Sequence, residues 1–109
     1  MKLYLTRPRS NIKAVADYDM ESKSFVVLKD SIISETIAYS EKFRGAKSIE
    51  KSRSGVVDGT RVIENVTFKS ASTAANFVTG ASTNGLTAWK DETGKTLKVI
   101  LAEMEGNNE

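Results

Sequence analysis

Residues 70–80, SASTAANFVTG, constrain the fold of this chain more than any other stretch. They open on Ser70, whose hydroxyl can accept from the amides of a first helical turn, and close on Gly80, suited to the left-handed residue that ends a helix. Between them Ala74, Phe77 and Val78 recur at i, i+3 and i+4. The spacing predicts a short helix with one apolar stripe, and that stripe must be buried against another element. The candidate cover lies upstream. Residues 12–18 (IKAVADY) and 24–29 (SFVVLK) are rich in β-branched and aromatic side chains, and a polar linker from Asp19 to Lys23 separates them. That pattern reads as a β-hairpin.

The remaining segments are shorter. In the first hairpin strand Ile12, Ala14 and Ala16 alternate with Lys13, Val15 and Asp17, which leaves one face mixed. In the second, Phe25 to Leu28 is continuously apolar, which predicts burial on both faces. Leu3 and Leu5 suit a short edge strand. Residues 31–41, with Ile32, Ile33, Ile37 and Tyr39, fit an extended segment as well as a helix. Residues 40–54 read as a helix with Phe43, Ala46 and Ile49 on one side. Gly45 costs such a helix about 1 kcal/mol relative to alanine, and Gly55 is a natural stop. Asp58-Gly59 is a strong turn dipeptide, with short extended pieces over 61–68. Asn84-Gly85 favours a tight turn, and residues 86–89 then alternate like a strand. Asp91 to Gly94 makes another turn. Thr96 caps a last helix, Leu97–Met104, with Leu97, Ile100, Leu101 and Met104 on one face.

Together these elements predict one α+β domain over residues 1–109, a small, mostly antiparallel sheet packed by two or three helices. Its expected core is Phe25, Val27, Leu28, Phe68, Ala74, Phe77, Val78, Trp89, Leu97, Ile100 and Leu101. A chain of 109 residues is one domain's worth and buries roughly 65% of its unfolded surface, enough for a core without staples.

Composition removes several kinds of chemistry. There is no cysteine and no histidine, so disulfides, thiolate nucleophiles, the usual zinc ligand sets and imidazole acid–base schemes are excluded. The seven glycines contain no G-x-G phosphate loop. Asp17 and Asp19 form a D-x-D, and Asp91-Glu92 an acidic pair, but both lie at turns that favour aspartate anyway. No catalytic residue, metal ligand or cofactor is assigned, and the expectation is a non-enzyme. The apolar runs are far shorter than a membrane span, and Arg7, Pro8 and Arg9 interrupt the N-terminal stretch before any signal-peptide core develops. The expectation is a cytoplasmic protein without a membrane partner.

The net charge is only +2, but it is unevenly placed. Residues 42–53 carry Lys42, Arg44, Lys47, Lys51 and Arg53 against Glu50, whereas residues 91–109 hold five carboxylates against Lys95 and Lys98. The basic stretch is the best candidate for tracking a phosphate backbone. Five contacts would give a log–log salt slope of about −4.5. The alternative is a solvated helix face. Ser70, Ser72 and Thr73 at a helix N-terminus can hold a phosphate, although capping alone explains their spacing. Asn84 can make a bidentate contact to adenine, or can serve a left-handed turn. Lys90 completes that segment. Trp89 can stack on a base, but a lone tryptophan in a small domain is more often core.

The stretch from Ser70 to Leu97 also carries a resemblance. Ser70, Ser72, Ala74, Ala75, Val78, Gly80, Asn84, Gly85, Trp89, Gly94 and Leu97 fall where domain of unknown function family 4357 has its signature residues. That small domain is often appended to GIY-YIG nucleases. Residues 12–33 resemble its opening hairpin, so the likeness spans roughly 12–101. The chain is also similar to the related RAMA domain, found beside restriction and adenine-methylase systems and proposed to engage modified DNA. Ala71 stands where the family often has proline, which weakens the cap modestly. Leu86 stands where relatives often have an aromatic, which removes a stacking group. Asp30 replaces a common glycine, so a different turn is expected there. No nuclease domain accompanies the chain. The resemblance implies a non-catalytic accessory module that binds DNA, with a nuclease or modification enzyme as partner in trans. The alternative is a protein-interaction or structural module such as a homodimer. A hydrolase or nuclease ranks third.

Overall fold

The structure, a computed structural model, describes residues 1–38 and 45–106. The expected hairpin is present as β2 (Ile12–Tyr18) and β3 (Phe25–Val27), in register from Ala16 opposite Val27 to Tyr18 opposite Phe25. The Leu3–Leu5 segment is longer than its apolar residues suggest. β1 (Lys2–Arg7) runs antiparallel along β2, from Lys2 opposite Asp17 to Arg7 opposite Ile12. Pro8 ends it, since proline has no amide to donate, and a single 3-10 turn (Pro8–Ser10) carries the chain back.

Beyond β3, α1 (Ala46–Arg53) precedes a two-stranded hairpin of β4 (Val57–Asp58) and β5 (Arg61–Val62), turning at Gly59 as expected. β6 (Val66–Phe68) then joins β3, which completes a four-stranded antiparallel sheet in the order β1-β2-β3-β6. Three helices follow: α2 (Ala71–Thr79), α3 (Gly85–Ala88) and α4 (Leu97–Gly106). The α+β class holds.

Of the segment that fits either reading, residues 31–41, the described part, 31–38, is not helical and pairs only through isolated bridges at Ile32. Ile32 exchanges both backbone bonds with Lys13 at 2.9 Å and bridges to Arg61, so it ties the small hairpin to the main sheet. Phe43 and the first residues of the expected 40–54 helix lie outside the described residues.

One core joins sheet and helices. Leu3, Leu5, Ala14, Ala16, Phe25, Val27 and Phe68 line one face of the sheet. Ala74, Phe77 and Val78 of α2 and Leu97 and Ile100 of α4 close over it. Trp89 is 0% exposed at the centre, packed 5.5 Å from the Phe25 ring, with Nε1 donating to the Ala71 carbonyl at 3.0 Å. A buried indole needs such a partner.

Three sequence expectations are corrected. Residues 86–89 do not form a strand: Asn84 has φ −78, its Oδ1 accepts from the Leu86 amide at 3.0 Å, and it caps the helical turn α3. The asparagine–glycine signal was read as a left-handed turn, but Gly85 is required for space. A Cβ there would sit 2.2 Å from the Ala71 carbonyl carbon. Second, the continuous run Phe25 to Leu28 is not buried on both faces: Val26 and Leu28 are half-buried, because helices cover only the Phe25–Val27 side. Third, Met104 is 41% exposed, since α4 turns only its first turns toward the core, and Leu101 is half-buried. At the position of the common glycine, Asp30 takes a left-handed backbone, φ +77, and its carboxylate accepts from Arg61 Nε at 2.9 Å. Aspartate tolerates that conformation better than most residues.

Candidate functional site

The basic stretch folds as α1, and its side chains part company. Ala46 and Ile49 are buried, which directs Lys47 and Lys51 outward, one helical turn apart and both exposed. Arg53 was expected to join them on a phosphate. Instead it turns inward. Its Nε and Nη2 donate to the Phe77 carbonyl at 3.1 and 2.7 Å, Nη1 to the Ser34 carbonyl at 3.1 Å, and Nη2 to Ser34 Oγ at 2.9 Å. The guanidinium lies 5.9 Å from the Phe77 ring centroid, and burial pushes its pKa below the ordinary arginine value. The reason is tertiary: the Phe77 carbonyl near the end of α2 and the Ser34 carbonyl need a donor, and a guanidinium supplies several in one plane. Lys42 and Arg44 lie outside the described residues.

The N-terminus of α2 is spent on capping. Ser70 Oγ accepts from the Thr73 amide at 3.1 Å and shares a hydrogen bond with Thr73 Oγ1 at 2.7 Å. Ser72 Oγ accepts from the Gly85 amide at 3.1 Å, so it locks α3 onto α2. Trp89 is fully buried and presents no ring face to a base. Asn84 and Lys90 are exposed but lie at opposite ends of α3, Asn84 as its N-cap and Lys90 just past its C-cap, on the bridge to Tyr4. α1 and α3 each pack on α2.

With that geometry in place, the spacing of cap, glycines and tryptophan has a structural meaning: it is the α2–α3 clamp. A family model described as a domain of unknown function (DUF4357) matches residues 5–101. The chain belongs to the DUF4357 family. No curated protein and no solved structure matches it.

In this DUF4357 domain Leu86 lies on the outer side of α3, 39% exposed. A feature the sequence reading missed sits beside it. A cleft of about 490 Å³ runs between the β1 edge and the 87–94 segment, lined by Tyr4, Arg7, Thr87, Lys90, Asp91 and Glu92 among others. It forms because Tyr4 and Lys90 exchange both backbone bonds, at 2.7 and 2.9 Å, which adds Lys90 as an extra rung outside β1. No local pattern announces a bridge between residues so far apart in the chain. Asp91 is committed to its own turn: Oδ1 accepts from the Thr93 hydroxyl at 2.6 Å, the Thr93 amide at 2.9 Å and the Lys95 amide at 3.0 Å. Those bonds, the Thr93 hydroxyl first, hold its pKa below the usual aspartate value. Among the described residues, no group of three or more aspartate or glutamate side chains is placed to hold a metal ion. No described helix is long and apolar enough to cross a membrane.

Proposed function

We propose that this DUF4357 domain is a non-catalytic accessory module that binds DNA, in partnership with a separate nuclease or modification enzyme. The observation that carries the reading is the pair Lys47 and Lys51. Both project from the outward face of α1, and neither takes part in an ion pair among the described residues. Two cations at that spacing suit successive phosphates, and phosphate contacts supply affinity without sequence preference. Asn84 and Lys90, exposed before and after α3, add polar groups that can reach the same ligand.

The test is a fluorescence anisotropy titration of a short DNA duplex, with and without N6-methyladenine, at several salt concentrations. Binding should weaken steeply with salt. Lys47→Gln with Lys51→Gln should lower the log–log slope by about 0.9 per lysine. A preference for the methylated duplex would make the module a reader of modification. Absence of binding even at low salt would overturn the reading.

A second reading has its own observation. Leu86 on α3 and Val99 and Met104 on α4 are each about two-fifths exposed, on helices that pack together. These suit a protein contact, and a mass that rises with concentration would favour it.

A further inference from the structure

Among the described residues the helices cover one face of the main sheet, and the residues of its other face follow from the pairing. Residues directly opposite in antiparallel strands point the same way. One row is therefore Lys90, Tyr4 and Val15, a second is Thr6, Lys13, Ile32 and Arg61, and a third is Lys2, Asp17, Val26 and Thr67. Tyr4, Val15, Val26 and Ile32 are half-buried, and they stand apart from the core cluster. The lysines Lys2, Lys13 and Lys90 are exposed around them. The acidic residue of the face is Asp17, which accepts from the Met1 ammonium at 3.2 Å, while Arg61 pairs with Asp30. At the Lys90 end the face opens into the cleft that also holds Arg7, Asp91 and Glu92.

We infer that this open sheet face is a platform for single-stranded nucleic acid, with Tyr4 stacking on a base and Lys2, Lys13 and Lys90 holding the phosphates on either side. Two arguments select that occupant. The face is an apolar band whose rim carries three lysines against Asp91 and Glu92, which line a recess with Lys2 and Tyr4, and that excess of cations complements a polyanion with apolar rings. Its one aromatic side chain is flanked by Lys90 on one side and Val15 on the other, with Lys13 diagonally across on β2, opposite Thr6. That arrangement offers a π-face and charge to a base and its backbone together. A duplex hides its base faces and would use only the lysines. The inference rests on nucleic acid being the partner class, but it uses a surface distinct from α1.

The experiment is anisotropy with a fluorescein-labelled oligothymidylate of about 12 nucleotides and, in parallel, the duplex. Tyr4→Ala should weaken single-strand binding about tenfold, and Tyr4→Phe should restore it, because stacking needs the ring and not the hydroxyl. Lys13→Gln with Lys90→Gln should lower the single-strand salt slope by about 0.7 per lysine. Lys98→Gln, the same charge change on α4, should leave it within about twofold. Far-UV circular dichroism and Trp89 emission check folding, and the lysine pair keeps the test alive if Tyr4→Ala unfolds. Single-strand binding indifferent to Tyr4, Lys13 and Lys90 would overturn the inference and leave the α1 reading standing. A concentration-dependent mass abolished by Tyr4→Ala, with no single-strand binding, would overturn it in favour of a contact between copies. Binding of neither nucleic acid would overturn both.

Discussion

Arg53 and Gly85 show how single residues hold this molecule. Arg53 carries positive charge on a surface helix, yet its guanidinium donates to the carbonyls of Ser34 and Phe77. Arg53→Met should cost about 2–3 kcal/mol, because those bonds are to a charged donor and their acceptors are left partly buried. A urea melt followed by Trp89 emission measures it. A loss of DNA binding in that variant would report unfolding and not a lost phosphate contact. Gly85→Ala should cost about 3 kcal/mol or more, since the added methyl meets the Ala71 backbone and backbone cannot swing aside. Gly80 is constrained twice, by φ +75 and by the Thr36 carbonyl 2.1 Å from where a Cβ would sit. The requirement at Gly80 was visible in the sequence as a helix stop. The one at Gly85 was not, because its clash partner is fourteen residues away.

At the scale of elements, caps and turns are the legible parts. Ser70 caps α2 as its position predicted, and Thr96 Oγ1 accepts from the Val99 amide at 3.3 Å to start α4. Ser70→Ala should lower stability by about 1 kcal/mol, read as a fall in the urea midpoint at unchanged slope. The turn from Asp91 to Lys95 adds a pH dependence. The folded-state pKa of Asp91 is depressed, so its contribution is present above the unfolded value, 3.8, and is lost as pH falls through the folded one. Lys95 runs the other way: the hydrogen bond and charge of Glu103 raise its pKa above 10.5, so that contribution is lost only as alkaline pH passes the raised value. Carboxyl and side-chain ammonium NMR titrations should therefore show Asp91 midway below 3.8 and Lys95 midway above 10.5. What the elements did not reveal was α3. A four-residue helix has too few residues to show a period, and its alternation of Leu86, Thr87, Ala88 and Trp89 imitated a strand.

At the scale of the whole molecule, one core couples the main sheet to α2 and α4. Trp89 touches the sheet through Phe25 and α2 through Ala71, so separating α2 from the sheet exposes it. Trp89 emission and far-UV circular dichroism should consequently give coincident urea transitions, as a two-state domain requires. The same burial means that nucleic acid should not quench Trp89 by stacking; strong quenching in the titrations above would contradict the position of the ring. The asymmetry of the sheet is also a whole-molecule property. Each strand alternates one buried and one open side, but which side the helices cover depends on where the chain returns after β3 and β6.

What the sequence by itself determined are the features encoded within a few residues. These are the α2 helix with its cap and stop, the β2–β3 hairpin, the turns at Gly59 and Asp91, the α+β class and the absence of thiol and imidazole chemistry. Their causes are local, since a hydroxyl reaches its own first turn and side chains alternate along a strand. Only the tertiary structure decided which lysines face outward together, that Arg53 is structural, that Lys90 lies beside Tyr4, and that one sheet face stays open. Those depend on contacts between residues tens of positions apart, and a pattern read along the chain carries no term for them.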